Sequence, residues 1–388
     1  MEEPEFFQLY VEGERVVDAD VRISYNHRGI EQRCETLTYD QIPFILARVC
    51  GICSASHPMA FCKAVEDICD VDVPPRAKLI RSIICELERI HSHMLWVGLA
   101  GHFIGYNTVF MWAWRYREPI LDLCERVTGS RNHYENFKVG GCRRDIPQDS
   151  IPDILREVRE VAKPVRMLTD AVLDDPVLNV RLRGVAVLTE EAGREYAVTG
   201  PTARGSNIPI DARRDEPYAA YDMVDWDVVV QPEGDVFAKT VVRLLETLEA
   251  CTIIERCLEK MEPGEIDNEP RRIPAGEGIG HGEAPRGETF HYVRSDGTNY
   301  PVRYKVRAPT YVNLPAFKPQ IIGGELADAM LGVAAMDPCY SCTERMAVVD
   351  RKRNLEGILT MKDLLALSHE KTARLLKHHN VKSPAAQC

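Results

Sequence analysis

Two pairs of closely spaced cysteines constrain this chain more than any other feature of its sequence. The first pair lies in residues 48–57, RVCGICSASH, and the second lies in residues 337–345, DPCYSCTER. The four cysteines, called the first and second cysteine pairs below, are Cys50 with Cys53 and Cys339 with Cys342. A C-x-x-C spacing lets two thiolates reach one metal ion. Because residues 54–338 separate the pairs, a shared metal site would join two distant parts of the chain.

Spacing alone leaves several kinds of site open. Thiolates select zinc, copper(I), iron–sulfur clusters and other thiophilic metals. A structural zinc site is the commonest use of four cysteines, so spacing by itself favours zinc. Two unrelated pairs of core cysteines are the other simple interpretation.

Composition narrows the class of protein. A chain of 388 residues is long enough for a substantial core. Its 48 basic and 59 acidic residues give a net charge of −11, which argues against nucleic acid as the main partner. Thirteen cysteines without a secretory signal indicate a reducing compartment, so we expect a cytoplasmic protein. The most apolar stretch, 94–113, contains His102 and Asn107 and predicts a buried helix, not a membrane span.

The residue patterns predict a mainly α fold with small β attachments, an α+β class with a long-helix core. Helical periodicity runs over about 40–68, 75–98, 108–127, 151–173, 235–261, 321–336 and 360–377. Alternation in 6–24 predicts an N-terminal β-hairpin. A C-terminal β-hairpin is predicted from 289–295 and 300–307, which flank Asp296-Gly297. Residues 181–214, at the edge of the core, and 263–287 are predicted to be loops.

The residues around the cysteines resemble the large-subunit signatures of nickel–iron hydrogenases. The first segment resembles R-x-C-G-x-C-x-x-x-H, the second resembles D-P-C-x-x-C-x-x-R, and ELERIHSH at 86–93 is also similar to that family. The ending in Arg resembles the membrane-associated, energy-converting branch, which is related to the quinone-site, 49 kDa-type subunit of respiratory complex I. The resemblance runs from about Glu3 to the end. It implies the hydrogenase large-subunit fold and reversible oxidation of H2.

The resemblance also implies a cofactor and its ligands. All four cysteines would hold nickel, and the second cysteine of each pair would bridge to an iron that carries CO and cyanide. Cys339 would be the first proton acceptor. Two residues would contact the cyanides: Arg286, which follows Pro285 in an A-P-R-G segment, and Thr310, which lies in A-P-T. His57 would contact the cysteine ligands without binding the metals itself.

Two carboxylates have implied roles. Glu31, in the R-G-x-E segment 28–31, matches a glutamate beneath the site that binds a divalent ion such as Mg²⁺ in some members. The proton-gate glutamate of the family lies in a segment like G-P-x-H-P-x-x-x-E-P. Here only Glu3-Pro4 matches it, so Glu3 is the candidate. With Cys339 and Arg286, these carboxylates complete the predicted catalytic set.

The resemblance implies partners and processing as well. This chain has no further cysteine cluster suited to an iron–sulfur relay, so we expect an iron–sulfur small subunit, membrane subunits and ferredoxin. Nickel-insertion proteins and a maturation endopeptidase are also expected. Residues 1–345 would form the catalytic domain, and 346–388 would be an extension removed after Arg345. The protein would lie peripherally on the cytoplasmic side of the membrane.

Two other functions remain as alternatives. A complex I-like subunit would shape a quinone pocket without metal, although that branch lacks the four cysteines. A zinc-bound scaffold or assembly protein would use the same thiolates for structure only. Metal content separates the three interpretations of the sequence.

Overall fold

The computed structural model describes residues 3–343, 348–350, 355–357 and 361–378. The helices in that part are α1 (Ile30–Cys34), α2 (Ile42–Leu46), α3 (Ser56–Cys69), α4 (Pro75–Phe103), α5 (Asn107–Thr128), α6 (Ile151–Asp174), α7 (Pro176–Leu182), α8 (Glu190–Glu195), α9 (Gly200–Arg204), α10 (Ala212–Asp215), α11 (Val236–Glu259), α12 (Pro309–Asn313), α13 (Phe317–Ile321), α14 (Leu326–Met336), α15 (Tyr340–Thr343) and α16 (Met361–His378). The strands are β1 (Phe6–Glu12), β2 (Arg15–Arg22), β3 (Phe137–Lys138), β4 (Gly141–Cys142), β5 (Ala275–Ala284), β6 (Gly287–Asp296), β7 (Pro301–Arg307), β8 (Val348–Asp350) and β9 (Leu355–Gly357).

The prediction of a mainly helical chain with small β attachments is confirmed. Strands β1 and β2, β3 and β4, and β8 and β9 form antiparallel pairs, while β5, β6 and β7 form a three-stranded sheet. Strands β6 and β7 occupy the segments predicted to form the C-terminal hairpin. Strand β5 lies in residues 263–287, and the prediction of a loop there is wrong for 275–284.

Helix α4 is the centre of the fold. It follows Pro74 and has Pro75 in its first turn, where the missing N–H of proline costs nothing. Nearly every residue from 79 to 98 is buried, because α5 and α11 pack against it and α6 packs against both of them. A helix that is buried on all faces belongs to the core of a larger protein.

The apolar stretch 94–113 is not one buried helix. Helix α4 ends at Phe103, and a turn through Gly105, with a φ of 81°, separates it from α5. Met111 and Trp112 on α5 are 63% and 40% exposed, so the prediction of burial is wrong for this part. None of the described helices combines the length and hydropathy that a membrane span requires.

Glycines in β5 let this strand lie directly on helix α3. A Cβ atom on Gly280 would lie 1.8 Å from the carbonyl oxygen of Ala60, and one on Gly278 would lie 1.9 Å from that of Ala64. Only glycine permits this approach of two backbones. The same glycines suggested a loop in the sequence, where their packing partner was not visible. The contact positions the end of β5 relative to the beginning of α3.

Residues 181–214 form short helices and carry charges into the core. Arg204 is fully buried, and its guanidinium lies 2.6 Å from Glu246 and 2.8 Å from Glu283. Arg213 is also buried and contacts Asp211 at 2.7 Å. The prediction that this segment lies at the edge of the core is therefore wrong. Buried arginines are tolerated here because each one has carboxylate partners.

The predicted C-terminal helix is α16, and the short pair β8 and β9 precedes it. Arg345 and the predicted cleavage point after it lie outside the described residues.

Candidate metal centre

The fold brings the two cysteine pairs together. The first pair lies in a turn between α2 and α3, and the second pair lies at the start of α15. The turn interrupts the single helix that was predicted over 40–68. The Sγ atom of Cys339 is 3.2 Å from that of Cys50 and 2.9 Å from that of Cys342. The Sγ atoms of Cys50, Cys339 and Cys342 all lie within 4.8 Å of one another, and Cys53 lies close enough to hydrogen-bond to Cys50 and Cys342. All four are buried, so two segments distant in sequence form one enclosed thiol cluster.

The charges of these thiols indicate what the cluster can hold. The thiols of Cys339 and Cys342 donate to the sulfur of Cys50 and hold its pKa well below the ordinary value. Burial raises the pKa of Cys342 well above its ordinary value. One thiolate is thus favoured, whereas several thiolates this close need a multivalent cation. The donor set fits a thiophilic metal, and no other described grouping of His, Cys, Asp or Glu offers three ligand atoms so close together.

Arg286 connects the sheet to the thiol cluster from the turn between β5 and β6. Its Nε donates to the carbonyl oxygen of Asp337 at 2.7 Å, and its Nη2 donates to Asp337 Oδ1 at 2.8 Å. The remaining nitrogen, Nη1, lies 3.7 Å from the Sγ atom of Cys53. Pro285, directly before it, is buried as well. The two bonds to Asp337 orient the guanidinium so that one N–H edge faces the sulfurs.

Thr310 contacts the second cysteine pair from the first turn of α12. Its Oγ1 accepts the backbone N–H of Cys339 at 2.9 Å, and the residue is buried. Since a hydroxyl both accepts and donates, this bond leaves the Thr310 proton available for a second partner.

His57 contacts the cluster from the first turn of α3. Its Nε2 lies 3.2 Å from the Sγ atom of Cys342, and its Nδ1 lies 3.0 Å from Nε2 of His291. Burial lowers the pKa of His57 to about 4, so the ring is neutral at pH 7. A neutral imidazole has one N–H, and this ring can direct it to only one of these partners.

The two predicted carboxylates lie in different places. Glu3 accepts hydrogen bonds from the backbone N–H of Ser341, at 2.7 Å, and from the Ser341 hydroxyl. Ser341 lies between the two cysteines of the second pair. Glu31 accepts the N–H of Val306 at 3.0 Å and pairs with Lys305 at 2.9 Å, which joins α1 to β7. Glu3 is therefore the carboxylate that these contacts bring to the second cysteine pair.

Two residues beside the cluster were not assigned a role from the sequence. Glu88, on α4, accepts the N–H of Ser56 at 3.2 Å and also accepts the N–H of Ala55. It thereby caps α3 next to the first cysteine pair, and burial raises its pKa to about 8. Arg28 donates to the carbonyl oxygens of Arg48 and Val49, just before the first cysteine pair, and to that of Ser341, within the second pair. The motifs that contain these residues were visible in the sequence, but their distant partners were not.

Comparisons with known proteins define the class. The sequence-family model of the respiratory-chain NADH dehydrogenase 49 kDa subunit matches residues 104–273 and 268–345. The family model of the nickel-dependent hydrogenases matches residues 28–98. The chain belongs to the family of these 49 kDa-type subunits and of the large subunits of membrane-bound hydrogenases. The resemblance to the energy-converting nickel–iron hydrogenases, predicted from the cysteine motifs, is confirmed.

Individual relatives come from both branches. The chain is 40% identical to membrane-bound hydrogenase subunit alpha of Pyrococcus furiosus, over 97% of this chain and 91% of that protein. It is 36% identical to the carbon monoxide-induced hydrogenase of Rhodospirillum rubrum, over 89% and 96%. It is 32% identical to an NADH-quinone oxidoreductase subunit from Protochlamydia amoebophila, over 87% and 91%.

Proposed function

We propose that this chain is the catalytic subunit of an energy-converting nickel–iron hydrogenase, which interconverts H2 with two protons and two electrons. The single observation that carries the proposal is the buried cluster formed by both cysteine pairs. A quinone-site subunit has no need for four converging thiols. The family includes both branches, so the thiol cluster is the feature that favours the hydrogenase.

The cluster would hold both metals through its four cysteines. Nickel would bind all four sulfurs, and Cys53 and Cys342 would also bind iron. When bound, the centre supplies heterolytic cleavage of H2 and the exchange of two electrons. Arg286 would orient one cyanide through its N–H edge beside Cys53, and Thr310 would donate its hydroxyl proton to the other. Pro285 would keep that arginine loop rigid, because the proline ring restricts φ.

The chain's own residues would carry the proton away. Cys339 would receive it on its sulfur, and Glu3 would take it up through Ser341, whose hydroxyl already donates to this carboxylate. A relay needs a carboxylate that can gain and lose a proton. We expect Glu3→Gln to keep the metals and to suppress H2/D2O exchange. Normal exchange in that variant would reassign the gate, with Glu5 and Glu31 as the next residues to test.

Electron transfer and ion translocation would need partner subunits. We propose an iron–sulfur small subunit, membrane subunits and ferredoxin as the distal redox partner, with the whole complex attached to the cytoplasmic side of a membrane. Support comes from the relative in P. furiosus, which is named as part of a membrane-bound hydrogenase. Full dye-linked hydrogenase activity from the purified chain alone would contradict the dependence on a small subunit.

Maturation forms a separate part of the proposal. Nickel-insertion proteins would load the cluster, and an endopeptidase would then cut after Arg345 to remove 346–388. The divalent ion predicted near Glu31 would have to displace Lys305, because the oxygens of this carboxylate already bind Lys305 and the N–H of Val306. Intact-mass measurement of active protein tests the cleavage, because a chain that still ends at Cys388 would make the extension a working part of the subunit.

Metal analysis of the purified complex tests the main proposal. Nickel together with iron supports the hydrogenase, zinc alone supports the scaffold, and the absence of bound metal supports the quinone-site subunit. Cys53→Ser and Cys342→Ser should each remove both metals, because each sulfur would be shared. Cys62→Ser is a matched control, since Cys62 is buried in α3 but lies outside the cluster. Equal metal loss in the control would show that these substitutions only disturb folding.

A further inference from the structure

A line of buried hydrogen bonds leads from the thiol cluster into the three-stranded sheet. His57 Nε2 lies 3.2 Å from Cys342 Sγ, and His57 Nδ1 lies 3.0 Å from Nε2 of His291 on β6. The other nitrogen of His291, Nδ1, lies 2.7 Å from the hydroxyl oxygen of Tyr304 on β7. The two rings and the tyrosine are at most 1% exposed, so water does not compete for these bonds. The four groups form one continuous series.

The donors in this series can point in only two directions. In one, Tyr304 donates to His291, His291 donates to His57, and His57 donates to the sulfur. In the other, the sulfur must donate a proton, and the Tyr304 hydroxyl becomes the acceptor at the far end. A metal-bound thiolate has no proton to donate. The second direction would also point the Tyr304 proton away from its partner within the buried core, which is unfavourable.

The 3.0 Å contact between Nδ1 of His57 and Nε2 of His291 needs a proton on one nitrogen and a lone pair on the other, so the position of that proton decides the direction. Burial lowers the pKa of His291 well below its ordinary value, so this ring is neutral. A cationic ring would donate from both nitrogens and could not pass the direction along the series. The direction is therefore a matter of tautomers.

We propose that His291 and Tyr304 are positioning residues that hold His57 as its Nε2–H tautomer, so that His57 donates a hydrogen bond to the sulfur of Cys342. The Tyr304 hydroxyl determines the tautomer of His291, and His291 determines that of His57. This inference deepens the proposed function, in which Cys342 binds both metals. It also applies to any thiophilic metal that keeps Cys342 as a thiolate.

The experiment uses the full-length chain with ¹⁵N-labelled histidine, loaded with Zn²⁺ as the probe metal. Nitrogen NMR distinguishes the tautomers of His57, and competition with a chelator measures zinc affinity. We expect a single Nε2–H tautomer in the wild type. We expect a mixture or the Nδ1–H tautomer in Tyr304→Phe, with a roughly tenfold loss of zinc affinity, since outer partners of metal ligands typically contribute about 10- to 100-fold.

Two further variants separate positioning from general packing. His291→Gln should preserve the Nε2–H tautomer, because an amide can accept from Tyr304 and donate to His57. His291→Leu should lose it. Tyr39→Phe is the matched control, since Tyr39 and Tyr304 are both buried against Phe61 and only Tyr304 contacts His291.

The outcomes distinguish this inference from the proposed function. An Nδ1–H tautomer in the wild type, or an unchanged tautomer and zinc affinity in Tyr304→Phe, would overturn the positioning role of His291 and Tyr304. Equal changes in Tyr39→Phe would also overturn it. A protein isolated without nickel and iron would count against the hydrogenase, but the measurements with zinc would still decide the tautomer.

Discussion

At the scale of single residues, the site depends on side chains whose partners restrict them to one orientation. Arg286 is the clearest case, because two of its nitrogens bind Asp337 and the third faces Cys53. A guanidinium has donors at fixed angles, whereas an ammonium is a point charge. The position of the N–H edge at the sulfurs therefore depends on the shape of the group as well as on its charge.

Arg286→Lys tests this dependence. We expect the variant to retain nickel and iron but to shift the infrared bands of the proposed cyanides, because lysine cannot bind Asp337 and face Cys53 with the same geometry. Each lost charged hydrogen bond would cost about 1.5–3 kcal/mol of stability. Arg307→Lys is the control, since Arg307 pairs with Glu288 on the same sheet. Unchanged bands in Arg286→Lys would place this side chain away from the cyanides.

Lys239 provides a second test at this scale, away from the thiol cluster. It is fully buried on α11, its Nζ lies 2.8 Å from Gln320 Oε1, and burial lowers its pKa to about 7. The unfolded chain keeps this proton up to about pH 10.4. Between these values the unfolded state binds more protons, so the free energy of unfolding should rise with pH.

We expect Lys239→Met to remove that rise, which amounts to at most about 1.4 kcal/mol per pH unit. Urea unfolding at a series of pH values from 6 to 10 measures it. Lys163→Met, at an exposed position on α6, should keep the pH dependence of the wild type. Parallel curves for wild type and Lys239→Met would mean that Lys239 remains charged in the fold.

At the scale of elements, the contact between β5 and α3 sets the distance between Arg286 and the first cysteine pair. The strand ends just before Arg286, and the helix begins just after Cys53. Their backbones approach closely at Gly278 and Gly280, so any side chain there would separate the two elements. The alternating glycines of β5 are thus part of the architecture of the site.

Gly280→Ala should displace β5 from α3. We expect a loss of stability of at least about 1–3 kcal/mol, the usual effect of overpacking, together with reduced metal content. Gly282→Ala is the matched control on the same strand, because its Cβ would lie at an ordinary distance of 3.4 Å from the Tyr218 hydroxyl. Chemical unfolding and metal analysis of both variants measure the difference. Equal stability of the two would refute the close-packing argument.

At the scale of the whole molecule, residues near the N-terminus hold the second cysteine pair against the first. The Arg28 guanidinium donates to the carbonyl oxygens of Arg48 at 3.0 Å, Val49 at 2.7 Å and Ser341 at 3.2 Å. Two of these oxygens belong to the peptide bonds that precede Cys50 and Cys342. Glu3 binds the N–H and hydroxyl of Ser341.

Arg28→Ala should loosen this connection. In the metal-free full chain, with an added small disulfide as the oxidant, we expect slower formation of a disulfide between Cys50 and Cys339. Their sulfurs lie 3.2 Å apart, and that distance depends on the contacts that hold the two cysteine pairs together. Mass spectrometry after alkylation follows the reaction. Arg33→Ala is the control, since its guanidinium bonds to the nearby Thr36. An unchanged rate in Arg28→Ala would assign the alignment to other contacts.

The sequence by itself determined the features that depend on local pattern. The spacing of the cysteines predicted a shared thiol site, and the periodicity together with Pro75 predicted the long helix α4. The motif around Arg286 identified a residue that lies beside Cys53. Such features are visible in sequence because the residues involved are close neighbours along the chain or belong to a motif of fixed spacing.

Only the tertiary structure decided the features that depend on distant partners. The glycines of β5 resemble a loop until α3 packs on them, and Arg204 resembles a surface charge until Glu246 and Glu283 surround it. His291 and Tyr304 lie more than two hundred residues from His57, so no local pattern connects them. The physical reason is the same in each case. Close packing, burial of charge and hydrogen-bond direction are properties of pairs of groups, and folding alone brings those pairs together.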